Sequence, residues 1–345
     1  MTGDTRRNSN MDHHISVLQD QDLSTLCRFL SEFPGVNTSP EQWMLRLHNW
    51  WDDNPAFKLG HIRGVVLRVN GNIVGFTGNI PTRMIWNDEE ITVISGTTWR
   101  VLAEFRKYSM DLWLKHRELT SDCVYFNTTP SALVRKLLRA LKFIRLPQPA
   151  YWNYYFGAPG SLINSPVQKG LATLQKSYSN LRCRIRLKTK GEFRLVEGSE
   201  MNDDNLIDRL WHNSRSSFSF TNLRDSRYLR WIQKTQRVCY VFKNDALMGY
   251  LAFNFDTTIN TMVLVDIWPS STISEIARIF PILLQRYRSY NLIIPSYSAE
   301  FDKIRFRYML ARRRNPNEAY VSFGKSGPYD HSRSFFTMLQ GDYGL

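Results

Sequence analysis

The stretch RVLAEFRKYSMDLW, residues 100–113, decides how the fold of this chain is interpreted. It continues a β-rich run, EITVISGTTWRVL at 90–102, and leads into DLWLKHREL at 111–119, which predicts a helix. A helix that begins directly after a strand presents its first backbone N–H groups, and such a junction can bind an anion. Loops of this kind usually contain glycine, whereas residues 100–113 contain none. The stretch is therefore a working anion site, a degraded one, or an ordinary strand–helix turn.

The elements around this stretch recur in the second half of the chain. Residues 70–76 read NGNIVGF and residues 244–250 read NDALMGY, each with a turn pair, three residues, a glycine and an aromatic residue. β-rich runs flank both turn pairs, as in a β-hairpin. In both halves the hairpin is followed by a strand, a helix, a short apolar strand and a second helix. The matched order predicts an internal duplication.

The predicted elements of the first half are strands at 64–69, 90–102 and 123–126 and helices at 111–119 and 131–143, and those of the second half are strands at 237–242, 261–268 and 292–295 and helices at 273–290 and 298–313. Two further helices are predicted ahead of them, at 22–33 and 39–51, the second with Ser39 as N-cap and Pro40 in its first position. The predicted division of the chain is a disordered tail at 1–14, a donor-binding domain at 15–157, a linker at 158–192 and a structural or acceptor-binding domain at 193–345.

The composition suits two packed domains that bind an acidic partner. The chain has 345 residues, 43% of them hydrophobic, and a formal net charge of +14. The charge favours nucleic acid, an anionic membrane surface, an acidic carrier protein or a phosphorylated cofactor. No run of about 18 apolar residues predicts a membrane span, and the polar N-terminus lacks the apolar core of a signal peptide.

The cysteines and histidines predict neither disulfides nor a metal site. The four cysteines have no CxxC spacing, which favours reduced thiols in a cytoplasmic protein. Cys123 begins a short apolar strand without a histidine motif nearby, and we expect it to be a core residue. The seven histidines show no HExxH spacing. The four cysteines are Cys27, Cys123, Cys183 and Cys239.

Several segments carry a family resemblance: WWDDNPA at 50–56, VNGNIVGFTGNIP at 69–81, residues 98–113, YFNTTPSALVRKLLRALKF at 125–143 and SFFTMLQGDYGL at 334–345. They resemble the Gcn5-related N-acetyltransferase (GNAT) superfamily, and most closely a family of GNAT-like acyltransferases often encoded among bacterial surface-polysaccharide genes. The resemblance implies an α/β fold of tandem GNAT-like mixed twisted sheets flanked by helices. It also implies an enzyme, an N-acyltransferase.

The resemblance further implies where a donor binds. In GNAT proteins the fourth strand splays from the fifth, an acyl-pantetheine lies in the gap, and the next turn binds the pyrophosphate through backbone N–H groups. The implied donor is acyl-CoA or the phosphopantetheine of an acyl carrier protein, the implied acceptor is an amine, and no metal is implied. The implied cofactor-binding residues are Trp99, Val101, Arg106, Lys107, Tyr108, Ser109 and Asn127.

Two residues near this turn are candidates for catalysis. Glu104 is the nearest carboxylate that could accept the proton of an acceptor amine, and Tyr108 could protonate the leaving thiolate. Ordinary structural interpretations stay open beside these. Glu104 would be a solvated charge, Tyr108 an aromatic residue packed beside the turn, and Asn127 the N-cap of the next helix.

The sequence departs from the family pattern of Arg or Gln, two residues, Gly, one residue, and Gly or Ala. Arg106 and Lys107 keep the positive charge, but Ser109 stands at the first small position and Asp111 at the second. A carboxylate near a phosphate is unfavourable unless it caps the helix. In the second half, PSSTISE at 269–275 has neither an arginine nor a glycine pair. We therefore expect that half to bind no cofactor.

Two other functions stay open at this point. The tandem architecture and the positive charge also suit a Fem-like aminoacyltransferase that uses charged tRNA, and the missing glycines suit a non-catalytic GNAT-fold binding protein. Arg312–Arg314, with Arg305 and Arg307, are predicted to form the basic face of a helix. Such a face is solvated, or it docks a phosphate backbone, a lipid head group or an acidic carrier protein. Trp50 and Trp51 are candidates for lining an acceptor cleft.

Overall fold

The computed structural model describes residues 12–146, 150–155, 170, 174, 177, 192–256, 261–269, 273–287, 289, 291–296, 311–314, 319–323 and 334–335. These residues form an α/β protein with two mixed β-sheets flanked by helices. None of the described helices is long and apolar enough to span a membrane. The predicted fold class is confirmed.

The strands are β1 His13–Val17, β2 Gly64–Val69, β3 Asn72–Trp86, β4 Glu89–Val101, β5 Val124–Asn127, β6 Ile144–Arg145, β7 Ala150–Tyr155, β8 Phe193–Glu197, β9 Phe220–Asn222, β10 Arg237–Lys243, β11 Ala246–Asp256, β12 Thr261–Trp268, β13 Asn291–Ser296, β14 Ala311–Arg314, β15 Tyr320–Ser322 and β16 Ser334–Phe335. The helices are α1 Leu23–Ser31, α2 Pro40–Trp50, α3 Ser109–Leu119, α4 Ala132–Ala140, α5 Asp204–Ser214, α6 Ser226–Ile232, α7 Ile273–Ile276 and α8 Phe280–Arg286. A 3-10 helix, Ala103–Tyr108, connects β4 to α3.

Both predicted hairpins are confirmed. The turns between β2 and β3 and between β10 and β11 have two central residues in the left-handed region: Asn70 and Gly71 at φ 49° and 80°, and Asn244 and Asp245 at φ 49° and 64°. Two consecutive residues of positive φ form the type I′ turn, whose twist matches that of the flanking strands. Asn, Asp and Gly tolerate this conformation best, so the residue types at the turns explain the hairpins.

The strand after each hairpin is built in the same way in both halves. β4 pairs antiparallel with β3 and parallel with β5, and β12 pairs antiparallel with β11 and parallel with β13. The pairing register shifts between Phe76 and Gly78 in one hairpin and between Ala252 and Phe253 in the other. Each shift places one extra residue in the later strand, which is a β-bulge. The two halves therefore share a bulged strand at the centre of the sheet.

The two sheets exchange strands across the predicted domain boundary. The first sheet has the order β1–β2–β3–β4–β5–β15–β6, with β9 pairing to β3 and β16 to β9, and the second has the order β14–β7–β13–β12–β11–β10–β8. The late strand β15 thus lies between β5 and β6, and the early strand β7 lies beside β13. Residues 158–192 lie almost entirely outside the described residues, so the division into domains stays a prediction.

Three local predictions need correction. The helix predicted at 298–313 is wrong at its C-terminal end, because Ala311–Arg314 is a strand that pairs antiparallel with β7. The rest of that predicted helix lies outside the described residues. The arginine-rich helix face is therefore not found at 312–314, and Arg305 and Arg307 are not described. The helix predicted at 273–290 is interrupted by a 3-10 turn at Ala277–Ile279. Strand β1 begins at His13, inside the predicted tail.

The main hydrophobic core extends from α1 and α2 across β3 to the second sheet. Ser39 caps α2 through its hydroxyl, which accepts a hydrogen bond from Gln42 N, as the sequence predicts. Trp50 and Trp51 are each 1% exposed, and the Trp51 indole donates to the carbonyl of Asn79 at 2.9 Å. Both tryptophans are core residues, which rules out the acceptor cleft suggested for them.

Candidate functional site

The two central parallel strands of the first sheet part within the sheet. β4 and β5 pair from Val93 opposite Val124 to Ser95 opposite Phe126, and β4 then continues to Val101 without β5 beside it. We call the space between Gly96–Val101 and the end of β5 the β4–β5 opening. A gap between two parallel strands is a site where a ligand can enter a sheet without breaking side-chain packing.

The backbone of β4 is distorted at this opening. Thr98 has φ 51°, in the left-handed region, which a β-branched residue adopts only under constraint. The extra residue of the bulge lies here, since Phe76 pairs with Arg100 and Gly78 with Thr97. Bulges and backbone outliers concentrate at functional sites because they re-aim strand groups. The β4–β5 opening is therefore a candidate functional site.

A cavity of about 190 Å³ lies in the opening. The indoles of Trp99 and Trp113 stack beside it, with ring centres 5.8 Å apart. Ser131 caps α4 by accepting a hydrogen bond from Val134 N at 3.3 Å. Asn127 is therefore not the cap of that helix, and its side chain has no hydrogen-bond partner in the described part of the chain. The residues that line the cavity are Thr77, Gly96, Thr97, Thr98, Trp99, Trp113, Tyr125, Asn127, Thr129, Pro130, Ser131 and Val134.

The side chain of Tyr125, in β5, lines this cavity and packs with its hydroxyl against Gly96 of β4. A Cβ atom on Gly96 would lie 1.8 Å from the phenol oxygen, so no other residue fits there without moving the ring. The Arg117 guanidinium lies 4.2 Å from the ring centre of Tyr125. Burial raises the pKa of Tyr125 to about 12. Sequence reasoning missed this residue because the contact depends on the strand register.

The imidazole of His116, in α3, packs edge-to-face with the Tyr125 ring, and the two ring centres are 5.8 Å apart. It is 0% exposed, and within the described residues neither ring nitrogen has a hydrogen-bond partner. Burial, with a smaller effect of Arg117, lowers the pKa of His116 to about 3. The imidazole is therefore neutral at physiological pH.

The segment predicted to cradle an anion has a different structure. The 3-10 helix Ala103–Tyr108 runs directly into α3, and the N–H of Ser109 donates to the carbonyl of Arg106. The N–H of Phe105 likewise donates to the carbonyl of Leu102, so both of these backbone donors are used within the segment. The Tyr108 ring stacks on His13 of β1, with ring centres 4.1 Å apart. No open loop is present here to wrap a phosphate.

Only part of the predicted site converges on the cavity. Trp99 and Asn127 line it. Glu104, Arg106 and Lys107 are exposed along the 3-10 helix, Tyr108 and Ser109 are half-buried at the start of α3, and Val101 is buried against Gly75. The roles assigned to these residues stay predictions. The sequence signals that could have found the rest are Gly96 in a strand and the threonine pair that follows it.

The bulged strand of the second sheet, β12, contributes to a buried ion pair, whereas the bulged strand of the first sheet, β4, lines a cavity. Beyond its last pair with β13, at Val263, strand β12 carries Asp266. Arg224 donates two hydrogen bonds to this carboxylate, each 3.1 Å long, and Tyr250 donates a third of 2.5 Å. The Arg224 and Asp266 side chains are both 0% exposed. Protein side chains thus occupy this part of the second sheet.

The described residues contain no group of three or more His, Cys, Asp or Glu side chains that could hold a metal ion. Cys123 is half-buried, and burial, with a smaller effect of Asp122, raises the pKa of its thiol. A raised pKa disfavours the thiolate that a nucleophilic cysteine needs. Cys183 lies outside the described residues.

Solved structures match this fold over most of the chain. A probable N-acyltransferase from Enterococcus faecalis matches with a TM-score of 0.59 and 9% identity, covering 91% of this chain and 74% of that one. A GCN5-related N-acetyltransferase from Anabaena variabilis matches with a TM-score of 0.59 and 10% identity over 91% and 73%. The described part of the chain shares the fold of these two proteins.

A larger neighbour has the same fold. N-myristoyltransferase of Saccharomyces cerevisiae, solved with bound myristoyl-CoA, matches with a TM-score of 0.54 and 10% identity over 95% of this chain and 84% of that one. No protein-family model and no curated protein matches the sequence. At these identities the likeness establishes the fold alone.

Proposed function

We propose that this protein transfers an acyl group from a thioester donor to an amine acceptor, with the acyl end of the donor in the β4–β5 opening. The observation that carries the proposal is the parting of two central parallel strands beside a cavity and a backbone outlier at Thr98. Neighbours of the same fold are described as N-acyltransferases, and one of them was solved with myristoyl-CoA. Both facts support acyl transfer as the reaction class.

The donor that this site suits is a pantetheine thioester. Its arm is narrow enough for a gap between strands, and the polar wall formed by Asn127, Thr129 and Ser131 offers hydrogen-bond partners for its amides. Arg106 and Lys107 are exposed next to α3 and favour an anionic donor, either CoA or an acidic carrier protein. Since the N–H groups of Phe105 and Ser109 are used within the 3-10 helix, phosphate contacts would come mainly from these side chains.

The reaction forms a C–N bond and breaks a C–S bond. The amine nitrogen attacks the thioester carbon, the amine proton passes to Glu104 or to water, and the sulfur leaves as a thiolate that Tyr108 would protonate. Glu104 is exposed and the Tyr108 ring stacks on His13, so both roles require that the donor reach past the start of α3. Most of the rate enhancement in such a site comes from holding the two reactants together.

The opposite face of β4 favours an acceptor with a negatively charged group. The Arg100 guanidinium lies over Phe33 of the α1–α2 region, 5.1 Å from its ring centre, and Arg46 lies 5.2 Å from the ring centre of Trp43. Burial, with a contribution from Arg46, lowers the pKa of Arg100. Neither arginine has a carboxylate partner in the described part of the chain. Two cations near each other without a counter-ion favour binding of a carboxylate or phosphate.

Calorimetric titration with CoA and acetyl-CoA tests the proposal. We expect binding by the wild type and its loss in Thr129→Trp, because Thr129 is an exposed cavity residue and an indole there would fill the opening. Thr25→Trp, which places an indole on the exposed face of α1, is the matched control and should bind normally. Equal binding by the Thr129→Trp variant would place the donor elsewhere. Binding without thioester cleavage in the presence of amines would indicate a non-catalytic binding protein.

A further inference from the structure

Tyr125 has a hydroxyl group at the cavity wall with an unused proton. The side chain is 1% exposed, and both Tyr125 and Gly96, against which the hydroxyl lies, line the cavity. The neighbouring Trp113 indole can only donate a hydrogen bond, so it cannot accept the phenol proton. No described residue accepts the Tyr125 proton. A buried donor without an acceptor is costly, and a ligand in the cavity would supply the acceptor.

The surroundings of Tyr125 keep the phenol protonated and strengthen it as a donor. The Arg117 guanidinium lies 4.2 Å from the ring centre, and a cation over the ring draws electron density from the hydroxyl. With its pKa raised to about 12, the phenol is fully protonated at neutral pH. It is also a much weaker acid than a free thiol, with its pKa of about 8.5. Tyr125 is therefore suited to donate a hydrogen bond and unsuited to give its proton to a thiolate.

We propose that the Tyr125 hydroxyl donates a hydrogen bond to the carbonyl oxygen of the bound thioester and stabilises the negative charge that forms there. When the amine nitrogen bonds to the carbonyl carbon, the π electrons move to this oxygen. When the carbonyl re-forms, the C–S bond breaks and its electrons leave with the sulfur. Tyr125 keeps its proton throughout, as in an oxyanion hole. This inference rests on the proposed acyl transfer and adds a catalytic residue to it.

The Tyr125→Phe variant removes the hydroxyl and leaves the ring. We expect acetyl-CoA to bind within about threefold of wild type, and thioester cleavage to fall by about 100-fold or more, the usual loss for one oxyanion donor. With acetyl-CoA labelled at the carbonyl carbon, the infrared stretch of the bound carbonyl should move to higher frequency in the variant. A role in packing alone would leave that frequency unchanged.

Tyr240→Phe is the matched control. Tyr240 is a buried tyrosine of the second sheet whose oxygen also accepts one side-chain hydrogen bond, from Gln233 at 3.2 Å. This variant should keep both the carbonyl frequency and the rate. An unchanged carbonyl frequency in Tyr125→Phe, with binding retained, would overturn the inference and leave the proposed function intact. If Tyr125→Phe does not fold, the wild type alone decides the inference. A bound acetyl-CoA carbonyl that absorbs at the frequency of a carbonyl without a hydrogen bond would then overturn it. If the wild type shows no carbonyl band from bound acetyl-CoA, both the inference about Tyr125 and the proposed function are overturned.

Discussion

At the scale of single residues, His116 links the candidate site to the stability of the protein. It is enclosed between α3 and Tyr125, and burial lowers its pKa from 6.5 to about 3. The folded protein therefore binds this proton less readily than the unfolded chain does. The corresponding stability is fully present above pH 6.5 and decreases as the pH falls from 6.5 toward 3.

Replacing His116 by Phe should remove this pH dependence. One such group contributes a slope of about 1.4 kcal/mol per pH unit to the free energy of unfolding, so the wild type should lose stability between pH 6.5 and pH 5. The variant should lose less over the same interval, as measured by urea unfolding at several pH values. Equal slopes for the wild type and His116→Phe would show that folding does not lower the pKa of His116.

Residue types alone could predict only part of the site. Trp99 and Asn127 line the cavity, and the family resemblance implies donor-binding roles for both, which stay predictions. Tyr125 and Gly96 were not found, because their contact depends on the register between β4 and β5, with Ile94 opposite Tyr125. A glycine within a strand signals a close approach, but the sequence does not say what approaches it.

At the scale of elements, the 3-10 helix Ala103–Tyr108 determines how an anionic donor would be held. The N–H groups of Phe105 and Ser109 are used within the segment, so we expect its contribution to binding to depend mainly on Arg106 and Lys107. Exposed charges act weakly and are screened by salt. The affinity for CoA should therefore depend on ionic strength more than on any backbone group of this turn.

Arg106→Ala and Lys107→Ala should each weaken CoA binding by about fivefold, the upper range for an exposed charge pair. The decrease should shrink as the salt concentration is raised, which titration calorimetry at two ionic strengths would measure. Lys115→Ala on α3 removes an exposed lysine that is bonded to Glu118 at 3.0 Å, and it should have little effect. A loss of more than 100-fold that persists at high salt would instead indicate direct, desolvated phosphate contacts.

The elements that the sequence predicted correctly are those with local causes. The type I′ turns follow from Asn, Gly and Asp at two positions, and the start of α2 follows from Ser39 and Pro40. The strand at Ala311–Arg314 had no local signal, since arginine favours helix and only the pairing with β7 makes this segment a strand. Non-local pairing therefore sets the limit of sequence-based prediction here.

At the scale of the whole molecule, strand exchange and a buried ion pair connect the two sheets. β15 and β7 are each placed in the sheet of the opposite half, and no local feature of either short strand specifies its partner. Arg224 follows β9 of the first sheet, and it bonds Asp266 of β12 in the second. This contact fixes the position of one sheet relative to the other.

Arg224→Ala should lower the free energy of unfolding by about 3 to 5 kcal/mol, because Asp266 would remain buried without its cation. The exposed pair of Arg230 and Asp204, 2.7 Å apart, provides the control. Arg230→Ala should cost less than about 1 kcal/mol. Urea unfolding of both variants measures the difference, and similar values for the two would contradict the assigned role of the buried pair.

The proposed function requires that the β4–β5 opening bind the acyl donor. Hydrogen–deuterium exchange with and without CoA tests this requirement. We predict that CoA slows exchange in peptides covering residues 96–109 and 127–134, which border the opening, and leaves residues 261–268 of β12 unchanged. Protection confined to the second sheet, or no protection at CoA concentrations that saturate the calorimetric titration, would contradict the claim.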